Sequence, residues 1–168
     1  ETRDEKRRVA ELINDLAAYI LQCDLYYVDI TGERTKWGRW NPKDLNGDPN
    51  FYSERGLNSV EILGYMALAY SVTGNETYYQ VFQELAWGAP EYYINSLNSK
   101  LDSPYEDNHS DNQLHFLAYN VLFYAYARLD DSAIDLSGIT DVRSAGARST
   151  LQAQTLKAKV HTMGHPFF

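Results

Sequence analysis

Hydrophobic residues recur at helical spacing through residues 5–24, at Val9, Leu12, Ile13, Leu16, Ala17, Ile20 and Leu21. Arg7, Arg8, Glu11, Asn14 and Asp15 fall on the other side, which predicts an outer helix with one buried face. Two later stretches, 57–73 and 111–128, are apolar nearly all round, and such helices are normally enclosed. Gly74 ends the first as a C-cap, and Asn75 starts a returning helix over 76–87 that is predicted to bury Tyr79, Phe82, Leu85 and Ala86. Ser110 opens the second, with Gln113 at capping-box spacing. Between these elements the chain is turn-rich. Residues 25–56 carry Gly32, Gly38, Pro42, Gly47 and Pro49, with room for a hairpin at 26–30 and 35–40. Trp37, Trp40, Phe51 and Tyr52 predict that this loop is packed rather than loose. A short helix is expected within 91–98.

The order is therefore outer, inner, outer, inner. With short antiparallel turns, alternate helices run parallel. Two polar clusters, Glu54-Arg55-Gly56-Leu57-Asn58-Ser59 and Asn108-His109-Ser110-Asp111, precede the two inner helices and should face one end of the core. The fold class predicted is all-α, built from antiparallel helical hairpins over residues 1–131. After Asp131 no aromatic residue occurs until Phe167, the net charge turns positive, and apolar patterning is weak until 151–160. Residues 132–168 read as a loosely attached tail with one helix, or as a non-native translated end.

Composition sharpens this picture. The 168 residues are one domain's worth of chain. A formal charge of -8 argues against nucleic acid, which needs clustered Lys and Arg. Within 101–131 six acids stand against the single base Arg128, so that stretch repels anions. Fourteen tyrosines suit half-buried helix faces and also sugar clefts. Cys23 is the only cysteine, which excludes an internal disulfide and a cysteine-based zinc site. No apolar run is long enough to span a bilayer, so membrane insertion is not expected. Asn75-Glu76-Thr77 and Asn108-His109-Ser110 match the N-glycosylation pattern. The chain begins Glu-Thr-Arg-Asp with no secretory leader, which fits a mature form or an excised piece.

The run Asp29-Ile30-Thr31-Gly32, then Thr35-Lys36-Trp37-Gly38-Arg39-Trp40-Asn41-Pro42, then the two polar clusters, resembles a little-characterised family found in large extracellular-type proteins. The resemblance covers about residues 9–128. Its members look like α/α toroids of the six-hairpin glycosidase kind. It implies part of an α/α toroid, an extracellular location and carbohydrate as the partner, the glycosidase link being one of fold. A full toroid needs about twice as many helices as this chain supplies, since a hairpin with its loops takes roughly 35–50 residues. The chain is thus expected to be a fragment of a ring, or to close its exposed core by self-association.

Glycoside hydrolysis needs one acid to protonate the leaving oxygen and a second carboxylate as base or nucleophile. Glu54, Asp107 and Asp111 are the acids at the shared mouth, and Arg55 or His109 can tune their proton affinity. The plainer reading is that these groups cap helices and tie loops down. A lyase-like alternative would use His109, Arg55 and Tyr105 around a uronate carboxylate, for which an acidic surface is a poor host. Asn58 joins the substrate-binding set, and Trp37 and Trp40 form a Trp-x-x-Trp loop suited to stacking on sugar rings or to plugging the end of the helical layer. Residues 44–50 space oxygen ligands like the start of an EF-hand loop, but Pro49 stands where glycine is demanded and Arg55 where the terminal acid belongs. No metal and no cofactor are expected. His161 and His165 are isolated. The rival to a glycoside hydrolase-like domain is a non-catalytic structural or glycan-binding module of a larger extracellular protein.

Overall fold

The computed structural model describes residues 2–98 and 109–132, with side chains in the last helix described over 113–126. The described chain is mainly helical, with one small sheet. Helix α1 (Arg3–Gln22) starts in a capping box, the Thr2 hydroxyl accepting from the Glu5 amide and the Glu5 carboxylate accepting from the Thr2 amide. The chain reverses through Asp24 and Leu25, both at positive φ, with the Leu25 amide closing on the Ile20 carbonyl. Strands β1 (Tyr26–Val28) and β2 (Arg34–Arg39) then pair antiparallel, Tyr26 opposite Arg39 and Val28 opposite Arg34. The Asp29 carboxylate holds their turn by accepting from the Thr31 amide and hydroxyl and the Glu33 amide.

Next come the short helix α2 (Pro42–Leu45), a 3-10 turn (Pro49–Phe51), α3 (Arg55–Thr73), α4 (Glu76–Trp87), α5 (Tyr92–Asn95) and α6 (His109–Ser132). α3 is the centre of the core. It packs against α1, α4 and α5 and buries Val60, Ile62, Leu63, Met66, Ala67 and Ala69. Gly74 ends it in the left-handed region (φ 69°), and Asn75 caps α4 by accepting from the Thr77 amide. The predicted turn and both helix bounds there are observed. Tyr70 and Tyr79 stack across it at 5.0 Å, although Tyr78, not Tyr79, is the tyrosine that α4 buries.

α6 lies against α3. A side chain at Gly64 would meet Ala118, Val121 and Leu122, and one at Gly56 would meet His115. Moving along α3 from 56 to 64 thus advances α6 from 115 towards 122, so the two helices run the same way, as their alternate positions predict. Small residues at the contact let the backbones approach closely.

Two expectations are corrected. α6 is not enclosed: His115, Ala118, Tyr119, Leu122 and Ala125 are buried, whereas Leu114, Phe116, Leu117 and Tyr124 are exposed. Among the described residues, the neighbours that α6 packs on lie along one flank. Likewise α1 buries Ala17 and Ile20 towards its C-terminal end, but Val9, Leu12 and Leu16 stay in solvent. No described helix is long and apolar enough to cross a membrane.

Candidate functional site

The hairpin and α3 are fastened together by polar groups. Asn58, one turn into α3 and buried, donates through Nδ2 to the carbonyls of Trp37 (3.2 Å) and Arg39 (2.9 Å). The Tyr92 hydroxyl donates to the Trp40 carbonyl at 2.6 Å, and burial pushes its proton affinity up. Arg39 pairs with Asp44 at 3.2 Å, and the Tyr26 hydroxyl reaches the same carboxylate. Asp48 caps the 3-10 turn by accepting from the Asn50 amide. The oxygens that resemble an EF-hand start are thus engaged in local structure. Nδ2 of Asn58 is likewise fully used by backbone, so it acts as a staple.

The frame positions the two tryptophans differently. Trp40 is buried, its ring edge-on to Tyr65 at 5.8 Å and 84°. Its indole N–H donates to the Glu61 carboxylate at 3.1 Å. A platform role for Trp40 is therefore corrected: its face is not open to a sugar. Trp37 is 64% exposed, with the Lys36 ammonium 4.5 Å from its ring centre.

Glu61 is the group that sequence reasoning missed. It and Tyr65 stand one turn apart on α3, both half-buried and both in contact with the Trp40 indole. Burial raises the proton affinity of the Glu61 carboxyl, the nearby Glu54 charge adds to this, and the Trp40 hydrogen bond opposes it. Tyr65 is pushed up to about 12 by burial and by the Glu61 charge. The available signal was the i, i+7 spacing of Glu54 and Glu61, which returns both to one face of α3. An acid inside an otherwise apolar helix reads first as a misplaced surface residue, and that hides it.

Glu54 occupies the N-cap position of α3 without capping it through its side chain, and it accepts from the Ser53 hydroxyl at 3.2 Å. The Arg55 guanidinium lies 5.3 Å from the Tyr52 ring centre. Asp107 and Tyr105 lie outside the described residues. His109 and Asp111 belong to the first turn of α6, which begins two residues before the predicted 111 so that Ser110 lies within the helix, and their side chains also lie outside the described residues. No group of three or more His, Cys, Asp or Glu suited to a metal occurs among the described residues.

A second buried group ties α5 to α6. The Ser96 carbonyl accepts from the Tyr119 hydroxyl and from His115 Nε2 at 3.1 Å, which fixes the imidazole as the Nε2–H tautomer. The two rings stack at 5.0 Å and 6°. Burial lowers the His115 pKa below its ordinary 6.5, and the Ser96 bond only partly offsets this. The unfolded chain therefore binds the proton first, so this contribution to stability is complete above the ordinary value and is lost as pH falls below it. The melting temperature is expected to drop from pH 7 to pH 5 in thermal scans, and His115→Gln should flatten that slope.

Compared with known proteins, the chain matches no family model, no curated protein and no solved structure.

Proposed function

We propose that the chain is a carbohydrate-active, glycoside hydrolase-like domain, an arc of an α/α toroid, in which Glu61 is the proton donor and Glu54 the companion carboxylate. The observation that carries this reading is the half-buried Glu61 carboxyl, held towards its neutral form beside Trp40 with a second acid on the same face. Hydrolysis needs that asymmetry: one carboxyl kept protonated to meet the leaving oxygen, another kept ionised to activate water or attack. Seven residues along a helix is about 10 Å of rise. That rise is close to the roughly 6.5–9.5 Å of a carboxylate pair with a water between them. Trp37 offers its exposed ring as a stacking platform, on a strand that Asn58 fixes to the helix bearing both acids. The charge of -8 favours a neutral or cationic glycan over a polyanion.

The parallel α3 and α6, with α4 returning between them, support the toroid. The exposed apolar residues of α6, among them Leu114, Leu117 and Tyr124, mark the edge at which further hairpins, or a second copy, would continue the ring. A glycan-binding module without turnover is the second reading, favoured by the exposure of Trp37 and the burial of Trp40.

A panel of neutral polysaccharides, scored for binding and for released reducing ends, separates the two. For the enzyme, Glu61→Gln is expected to cut kcat at least about 100-fold with binding retained, and to remove the alkaline limb of the pH–rate profile. Turnover unaffected by Glu61→Gln and Glu54→Gln would end the catalytic assignment. Binding without turnover, lost in Trp37→Ala, would establish the module.

A further inference from the structure

The turn between α3 and α4 carries Asn75-Glu76-Thr77, which fits the acceptor pattern for N-linked glycan. Such a pattern is common by chance, so its surroundings decide whether it is usable. Every residue from 72 to 77 is exposed. Gly74 turns the chain outward in the left-handed region, and Asn75 follows in extended backbone (φ -79°, ψ 108°). The Asn75 Oδ1 accepts from the Thr77 amide at 3.0 Å. Its Nδ2, the atom that would carry the sugar, has no hydrogen-bond partner among the described residues, and neither has the Thr77 hydroxyl. The intervening Glu76 carboxylate accepts from the Tyr70 hydroxyl at 3.0 Å.

We infer that Asn75 is an N-glycosylation site, its donor an oligosaccharide carried on a polyprenyl diphosphate. In the transfer, Asn75 Nδ2 attacks the anomeric carbon and an N–C bond forms. The bond from that carbon to the diphosphate oxygen breaks, its electron pair leaving with the diphosphate, while one amide proton passes to a carboxylate of the transferase. The product keeps Oδ1 and its bond to the Thr77 amide, so the cap of α4 survives modification. A helix of the length of α3 separates this turn from Glu54, about 28 Å at 1.5 Å per residue. A bulky glycan at Asn75 therefore leaves the Glu54–Glu61 face open, and the inference stands apart from the carbohydrate-active reading.

The test is expression of the full chain through the secretory pathway of a eukaryotic host, read by intact mass and by peptide mapping before and after peptide N-glycosidase. Asn108→Gln removes the other matching sequence, so a surviving glycan is assigned to Asn75. In that background the Asn75 peptide should carry a glycan and read as aspartate after enzymatic removal. Thr77→Ser should retain the modification and Thr77→Ala should abolish it, with an unchanged helical circular dichroism spectrum because Asn75 still caps α4. An unmodified Asn75 peptide from folded, secreted Asn108→Gln protein would overturn the inference. So would a glycan that persists in Thr77→Ala.

Discussion

Gly56→Ala is expected to leave little folded protein. A Cβ at position 56 would run into the main-chain carbonyl of Asn98 and close on His115. The obstacle is backbone, and the end of α5 is pinned by the Asn98 amide bonding to the Asn95 carbonyl. Relief requires α5, α6 or the first turn of α3 to move, and any of these opens the Ser96–His115–Tyr119 contact. Overpacking a core costs about 1–3 kcal/mol even where side chains can adjust. A backbone clash that also undoes buried hydrogen bonds exceeds that and consumes much of a typical stability of roughly 5–15 kcal/mol. Chemical denaturation should show a midpoint shifted far to low urea, or no transition at all. Gly64→Ala is the contrast: its Cβ would sit at 3.4 Å from Val121, an ordinary contact limit, and should cost much less. Equal losses at both positions would refute the close approach at Gly56.

Asn58→Asp comes second in magnitude. The change keeps the shape of the side chain but replaces a donor of two hydrogen bonds with an acceptor facing the carbonyls of Trp37 and Arg39. Two bonds are lost and an ionised group is buried against like partial charges. Leaving a buried charge uncompensated costs about 3–5 kcal/mol. The carboxyl at 58 would take up a proton in the folded state to escape, so its folded pKa lies above the unfolded one. The neutral form suits the fold, and the deficit relative to wild type should shrink as pH falls and widen as it rises. Measuring the difference against wild type at each pH cancels the opposing contribution of His115. A deficit independent of pH would mean that Asn58 is not buried as described.

Much of the helical frame was legible because local signals agreed. Gly74 and Asn75 mark a C-cap and an N-cap two positions wide, and no other reading of 57–87 satisfies both. The hairpin was legible from its turn residues. Burial was less so, since periodicity reports which residues would tolerate enclosure, not whether a neighbour exists. The flank of α6 is as apolar as its buried face, yet Leu117 and Tyr124 meet solvent. The site was read at the helix mouths, where polar residues cluster in sequence. Glu61 lies two turns inside α3, and its partner Trp40 is twenty-one residues away. Only the folded chain brings an indole N–H to that carboxyl and so makes a buried acid tolerable.

The two-residue connection at Gly74 and Asn75 also sets the order in which the chain assembles. Closing a short turn costs little chain entropy, so α3 and α4 meet early and cheaply. Docking the hairpin onto α3 and bringing Ser96 to α6 span longer loops and are reached only after that pair exists. The helix that bears Glu54 and Glu61 is thus formed before the tryptophan that holds one of them arrives. Until then the Glu61 carboxyl lacks its indole partner, and the Trp40 hydrogen bond that offsets part of its burial is made only in the late step that docks the hairpin.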